Sequence, residues 1–126
     1  MAKICVMEDD PLMSRMYEKA FRLNGYEVEV AIDGVDGMDK LRAMTVKPDA
    51  ILLDIMMPHK SGLEVLTELA VDPELASIPV IVLTNISSKD DTDQALKLGA
   101  VAYLAKSQYD PKEVIVKVTE IIANAK

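Results

Sequence analysis

The sequence predicts an α/β fold, a single doubly wound five-stranded parallel sheet in the order 2-1-3-4-5 with five helices on its two faces. Three observations carry that expectation. Short apolar runs alternate with amphipathic segments along the whole chain, the inner runs are apolar without a break, and Asp-Pro, Asp-Gly or Ser-Gly steps stand where helices should begin. A stretch such as Ala50-Ile51-Leu52-Leu53, between Pro48 and Pro58, is apolar on both sides of its backbone, which fits a strand covered by helices on both faces. Strict alternation of strand and helix, joined by right-handed crossovers, distributes those helices above and below one sheet.

Five runs read as strands: Lys3–Met7, Glu27–Ala31, Ala50–Leu53, Val80–Leu83 and Val101–Leu104. Between the first two, Asp10 caps a helix with Pro11 at its first position. Leu12, Met13, Met16, Tyr17, Ala20 and Phe21 form its apolar stripe, and Asn24-Gly25 ends it. Asp33-Gly34 opens a shorter second helix with Val35, Met38 and Leu41 on one side. Ser61 and Glu64 have the spacing of a capping box, and Leu63, Leu66 and Leu69 follow at helical intervals up to Asp72-Pro73.

The fourth helix has the thinnest apolar content. Ser88 to Asp93 is almost wholly polar, leaving Ala95, Leu96 and Leu98 as core contacts before Gly99; such a segment is either a solvated face or an element light enough to move. The fifth opens on Asp110-Pro111 with Glu113 completing a second capping box. Its buried stripe is Val114, Val118, Ile121, Ile122 and Ala125.

Composition narrows the function classes. The 126 residues suffice for one domain, residues 1–126, with a proper core, and half of them are apolar. With 14 basic against 21 acidic residues the net charge is −7, which disfavours nucleic acid and anionic membranes as direct partners and favours basic ones. No stretch approaches a membrane span and no signal-peptide core follows Met1, so a cytoplasmic protein is expected. Cys5, the only cysteine, reads as a small buried hydrophobe. His59 has no second histidine or cysteine near it in sequence, which speaks against zinc.

The residues that invite chemistry are acids at strand exits. Glu8-Asp9-Asp10 ends the first apolar run and Asp54 ends the third, which in the expected order are neighbours delivering their carboxylates to one rim at the switch point of the sheet. Asp10 is assigned to the helix cap. Two unit charges about 4 Å apart at an effective dielectric of roughly 20 interact by about 4 kcal/mol, so crowded acids are costly without a cation. Strands four and five leave the sheet at Thr84 and just before Lys106, adding a hydroxyl and an ammonium to the same crevice.

In these residues the sequence resembles the receiver domain of two-component response regulators, with the CheY-like fold, over essentially its whole length. The matching parts are the acid pair Glu8-Asp9, Asp54 with Met57-Pro58 and Gly62 after it, Thr84 at the end of an apolar strand, and Lys106 after Tyr103. The resemblance implies that Asp54 is the phosphoacceptor, and that Asp9, Asp54 and the Met56 backbone carbonyl hold Mg2+ (or Mn2+) with Glu8 acting through water. It implies Thr84 and Tyr103 as the switch pair and Met56 and Ile86 as the positions that tune hydrolysis. Magnesium suits such an all-oxygen set. Both tuning positions are apolar here, so slow loss of the phosphoryl group is expected. Ser107 stands where the family usually has proline after a cis bond, and Asn85 stands where a smaller residue is usual.

The implied function is a phosphorylation-activated signalling switch. It takes its phosphoryl group from a sensor histidine kinase or histidine phosphotransfer protein, and signals through the surface of the fourth helix, fifth strand and fifth helix to a downstream target or output domain. Leu12, Arg15 and Met16 on the first helix could face a kinase, although packing accounts for the two apolar ones equally well. Tyr103 reads equally as a half-buried aromatic of the last strand. Two other classes share the fold: a binding-only pseudo-receiver, and a magnesium phosphatase acting on small molecules. The complete set Glu8, Asp9, Asp54, Thr84 and Lys106 argues against the first, and the lack of a second acid two residues after Asp54 argues against the second.

Overall fold

The computed structural model describes residues 2–84 and 89–125. Its elements alternate: β1 (Lys3–Met7), α1 (Pro11–Leu23), β2 (Glu27–Ala31), α2 (Gly34–Ala43), β3 (Ala50–Asp54), α3 (Gly62–Ala70), β4 (Val80–Thr84), α4 (Lys89–Lys97), β5 (Ala102–Ala105) and α5 (Pro111–Asn124). All strand pairs are parallel, in the order β2-β1-β3-β4-β5. Five parallel strands in this order with five helices make the doubly wound α/β fold that the alternation predicts, which is the CheY-like fold that the resemblance implies.

Alternation along each strand splits the core into two layers. Cys5, Met7, Ile51, Leu53 and Val82 point to the layer closed by Met38 and Leu41 of α2, Val65, Leu66 and Leu69 of α3, and Ala95 of α4. Ile4, Val6, Leu52, Ile81 and Leu83 point to the other, closed by Tyr17 and Phe21 of α1 and by Val114, Ile115, Val118 and Ile122 of α5. Phe21 and Tyr26 meet edge to face, 4.9 Å between centroids.

Helix starts follow the local chemistry. Asp10 accepts from the amides of Leu12 and Met13, Asp33 accepts from Asp36, and Ser61/Glu64 and Asp110/Glu113 both form complete capping boxes. Each cap satisfies amide donors that the first helical turn cannot.

Several expectations need correction. The stripe of α1 is narrower than its periodicity implied: Tyr17 and Phe21 are buried, but Leu12 and Met16 are 67% and 42% exposed. They lie to the side of the line that faces the sheet. Val35, Leu96 and Ala125 are likewise exposed, and Ile115, absent from the expected stripe of α5, is buried. β3 and β4 each extend one residue further, to Asp54 and Thr84, while β5 begins at Ala102 instead of Val101. The described backbone contains no cis peptide bond, so Lys106–Ser107 is trans. Asn85, Ile86 and Ser88 lie outside the described residues. Among those described, no helix is long and apolar enough to cross a membrane.

Candidate functional site

Strand register brings the chemistry together. Met7 pairs with Leu53, so Glu8 and Asp54 each lie one step past a matched pair on neighbouring strands. Across the sheet Asp54 pairs with Leu83 and Thr84 pairs with Ala105, which places Lys106 one step past Thr84 on the same rim. The backbone fixes these positions: Glu8 N donates to Ala31 O at 3.0 Å, and Lys106 N donates to Thr84 O at 2.8 Å.

One carboxylate oxygen from each of Glu8, Asp9 and Asp54 lies within 4.8 Å of the others. Glu8 and Asp54 are 3% and 6% exposed, whereas Asp9 faces solvent. Asp54 is gripped from two sides, its Oδ1 accepting the Met56 amide at 3.1 Å and its Oδ2 accepting from Lys106 Nζ at 3.2 Å. Lys106 Nζ also donates to Glu8 Oε1 at 2.5 Å. Glu8 Oε2 is buried and finds no donor while Glu8 is ionised; protonated, Glu8 shares its proton with the Asp54 carboxyl beside it. A buried acid oxygen without a partner is expensive, and an all-oxygen cluster of this kind suits a hard cation or its hydration water. The triad is therefore able to bind a metal.

The electrostatics agree. Burial, reinforced by the Asp54 carboxyl beside it, pushes the Glu8 carboxyl up to about 8 against the opposing pull of Lys106. Burial by itself would lower Lys106, but its hydrogen bond to Glu8 and the charges of Asp54 and Glu8 outweigh that and leave it raised. Two close acids and one ammonium in a dry pocket favour retention of a proton until a further cation arrives. Cys5, on the opposite side of Met7 from Glu8 in sequence, is pushed up to about 12 by burial and is inert.

The remaining singled-out residues divide. Thr84 is 1% exposed at the end of β4, level with the acids. Tyr103, opposite Val82 in β5, is half-buried against the layer that contains Ala95. Met56, beside Asp54, is 61% exposed. His59 stands apart from the acids, with positive φ (66°) and its Nδ1 2.8 Å from Asp33 Oδ2. Asp33 is held below the usual carboxylate range, first by the Asp36 amide and then by His59.

Sequence reasoning missed two contacts of the site and the physical reason for a third residue that it had singled out. The Glu8–Lys106 contact joins residues 98 apart, and no local pattern announces it. The hydrogen bond that the Met56 amide donates to Asp54 Oδ1 depends on a loop turn. The third is Gly62, where a Cβ would lie 2.5 Å from the Asp54 carbonyl oxygen and 2.7 Å from Ile55 Cα, so only glycine lets α3 start this close to the phosphoacceptor candidate. The Gly62 of the sequence motif was the available signal.

Comparison with known proteins follows this geometry. The response regulator receiver domain family matches residues 4–119. The DNA-binding dual master transcriptional regulator RpaA of Synechocystis is 34% identical over 122 residues, 97% of this chain and 49% of that protein. The chain spans about half the length of the curated relatives it matches. Among solved structures, the phosphorylated cyanobacterial phytochrome response regulator RcpA is 34% identical with TM-score 0.82, covering 95% of this chain and 90% of that one. The Mn(2+)-bound form of the response regulator Rcp1 is 29% identical with TM-score 0.79, covering 97% and 89%.

Proposed function

The chain belongs to the response regulator receiver domain family, and from that premise we propose that Asp54 accepts a phosphoryl group from a phosphohistidine on a sensor kinase or phosphotransfer protein. The observation that carries the reading is the convergence of Glu8, Asp9, Asp54 and Lys106 at one sheet rim with one acid oxygen left unsatisfied. In the transfer an Asp54 oxygen forms the new bond to phosphorus as the donor nitrogen–phosphorus bond breaks. Lys106 and the Thr84 hydroxyl lie at the same rim to balance the charge that develops on the equatorial oxygens.

Glu8, Asp9 and Asp54, with the Met56 carbonyl, are the groups to hold magnesium or manganese, Glu8 through water; the RcpA and Rcp1 structures, one phosphorylated and one Mn(2+)-bound, support this. When bound, the ion supplies positive charge to the transferring oxygens. The added phosphoryl carries about −1.5 to −2 charges. Thr84 moves toward it, Tyr103 follows, and the face of α4, β5 and α5 changes partners, with a downstream target protein or an output domain as its reader. The net charge of −7 disfavours nucleic acid as that reader and favours a protein. Met56 offers no group to orient a hydrolytic water, so the phosphoryl group is lost slowly.

Intact mass after incubation with magnesium and a small phosphodonor tests this directly. The wild-type chain gains one phosphoryl group, and Asp54→Asn, isosteric and still folded, gains none. Equal labelling of both would overturn the assignment of Asp54, and no labelling of the wild type would make the chain a binding module only.

A further inference from the structure

The ammonium of Lys106 is closer to Glu8 than to the phosphoacceptor candidate, 2.5 Å against 3.2 Å, and the three side chains are only 6%, 3% and 8% exposed. We propose that Glu8 positions Lys106, and that this pair is the internal counter-ion with which a divalent cation must compete for the pocket; the inference rests on the reading of that pocket as a cation site. Both backbones are pinned, Glu8 by Ala31 and Lys106 by Thr84, so the contact depends on side-chain length. A glutamate spans the gap. An aspartate at the same place is one methylene too short.

Glu8 divides its carboxylate between two tasks. Oε1 holds the ammonium, and Oε2, buried and without a partner, faces the remaining demand for positive charge. A cation at the triad adds charge beside an ammonium that water cannot screen, so each weakens the other's hold on Glu8. Linkage makes the antagonism reciprocal. Cation loading thereby releases Lys106 from Glu8 and frees it to turn to oxygens arriving on Asp54. Before loading, the same tether offsets one of the pocket's three acids and holds Lys106 toward Glu8. Glu8 is in this sense a positioning residue that orders the events at the site.

The test uses the full chain with lysine side chains isotopically labelled, and Mg2+ or Mn2+ as the probe, with no phosphodonor. Lys106→Met is expected to bind the ion about tenfold more tightly than wild type. Saturating Mg2+ is expected to shift the Lys106 side-chain signal in the wild type, and in Glu8→Asp that signal should already lie near its metal-loaded position before any ion is added. Glu8→Gln serves as a second variant if Glu8→Asp fails to fold by circular dichroism. Unchanged or weaker affinity in Lys106→Met, or a Lys106 signal unmoved by bound ion, overturns the tether while leaving the cation site standing. Absence of ion binding in every chain overturns the cation site itself.

Discussion

α3 and α4 are each nine residues long and each follows a central strand that ends in a site residue, yet they are held very differently. α3 starts from a full capping box and buries Gly62, Val65, Leu66 and Leu69; α4 buries only Ala95. A side ion-pair network adds to the contrast, since Glu68 of α3 accepts from both Lys60 and Arg42 and is held below its usual range by them. The difference matches the function proposed for the rim. Under the proposed function the β3 exit would hold Asp54 still for reaction while the element after Thr84 would belong to the changing surface, and few buried contacts mean a low cost of rearrangement.

The contrast can be broken most forcefully at Leu66. Leu66→Ala should cost about 2–5 kcal/mol in denaturant unfolding, because a fully buried side chain leaves a cavity between sheet and helix. Should it cost no more than a surface change, the fixed side of the rim is not fixed by packing.

Next in size is the pH dependence of the metal-free fold. Glu8, raised from 4.5 to about 8, keeps a proton in the folded state that the unfolded chain has already lost in that window. Stability therefore falls as pH rises from about 4.5 to about 8, and is insensitive to Glu8 outside it. Thermal melts of Glu8→Gln should lose this slope. Magnesium should reverse it, because the ion binds the ionised acids, and melts with and without the ion at either end of the window decide the matter.

Gly62→Ala sharpens the comparison from the backbone side. Its new Cβ meets backbone atoms of Asp54 and Ile55, which cannot rotate away, so about 1–3 kcal/mol of stability should be lost together with the rate of Asp54 labelling. The smallest effect is expected in α4. Leu96, 48% exposed, should change stability by no more than about 0.5 kcal/mol on truncation to Ala, and α4 amides should exchange hydrogen well before those of α3.

Much of this was legible before any coordinates. Asp10-Pro11, Ser61 with Glu64, and Asp110-Pro111 with Glu113 placed three helix starts correctly, because a cap is a local contract between a side chain and amides two or three residues away. The unbroken apolar runs placed the strands and, through the topology, the acids at one rim. Leu12, Met16 and Leu96 were misjudged because periodicity reports a helix face without its width. A stripe predicts which side points inward, and the packing against neighbouring elements decides how many of its members are covered.

The sequence alone settled to within one residue where each strand ends, and hence which chemical groups reach the rim, since both follow from spacing of one to four residues. Only the tertiary structure decided how those groups pair: that Lys106 leans on Glu8 ahead of Asp54, that one Glu8 oxygen is left over, and that Gly62 must lack a side chain. Those outcomes turn on differences of less than an ångström in contacts between segments far apart along the chain, and the order of residues does not record them.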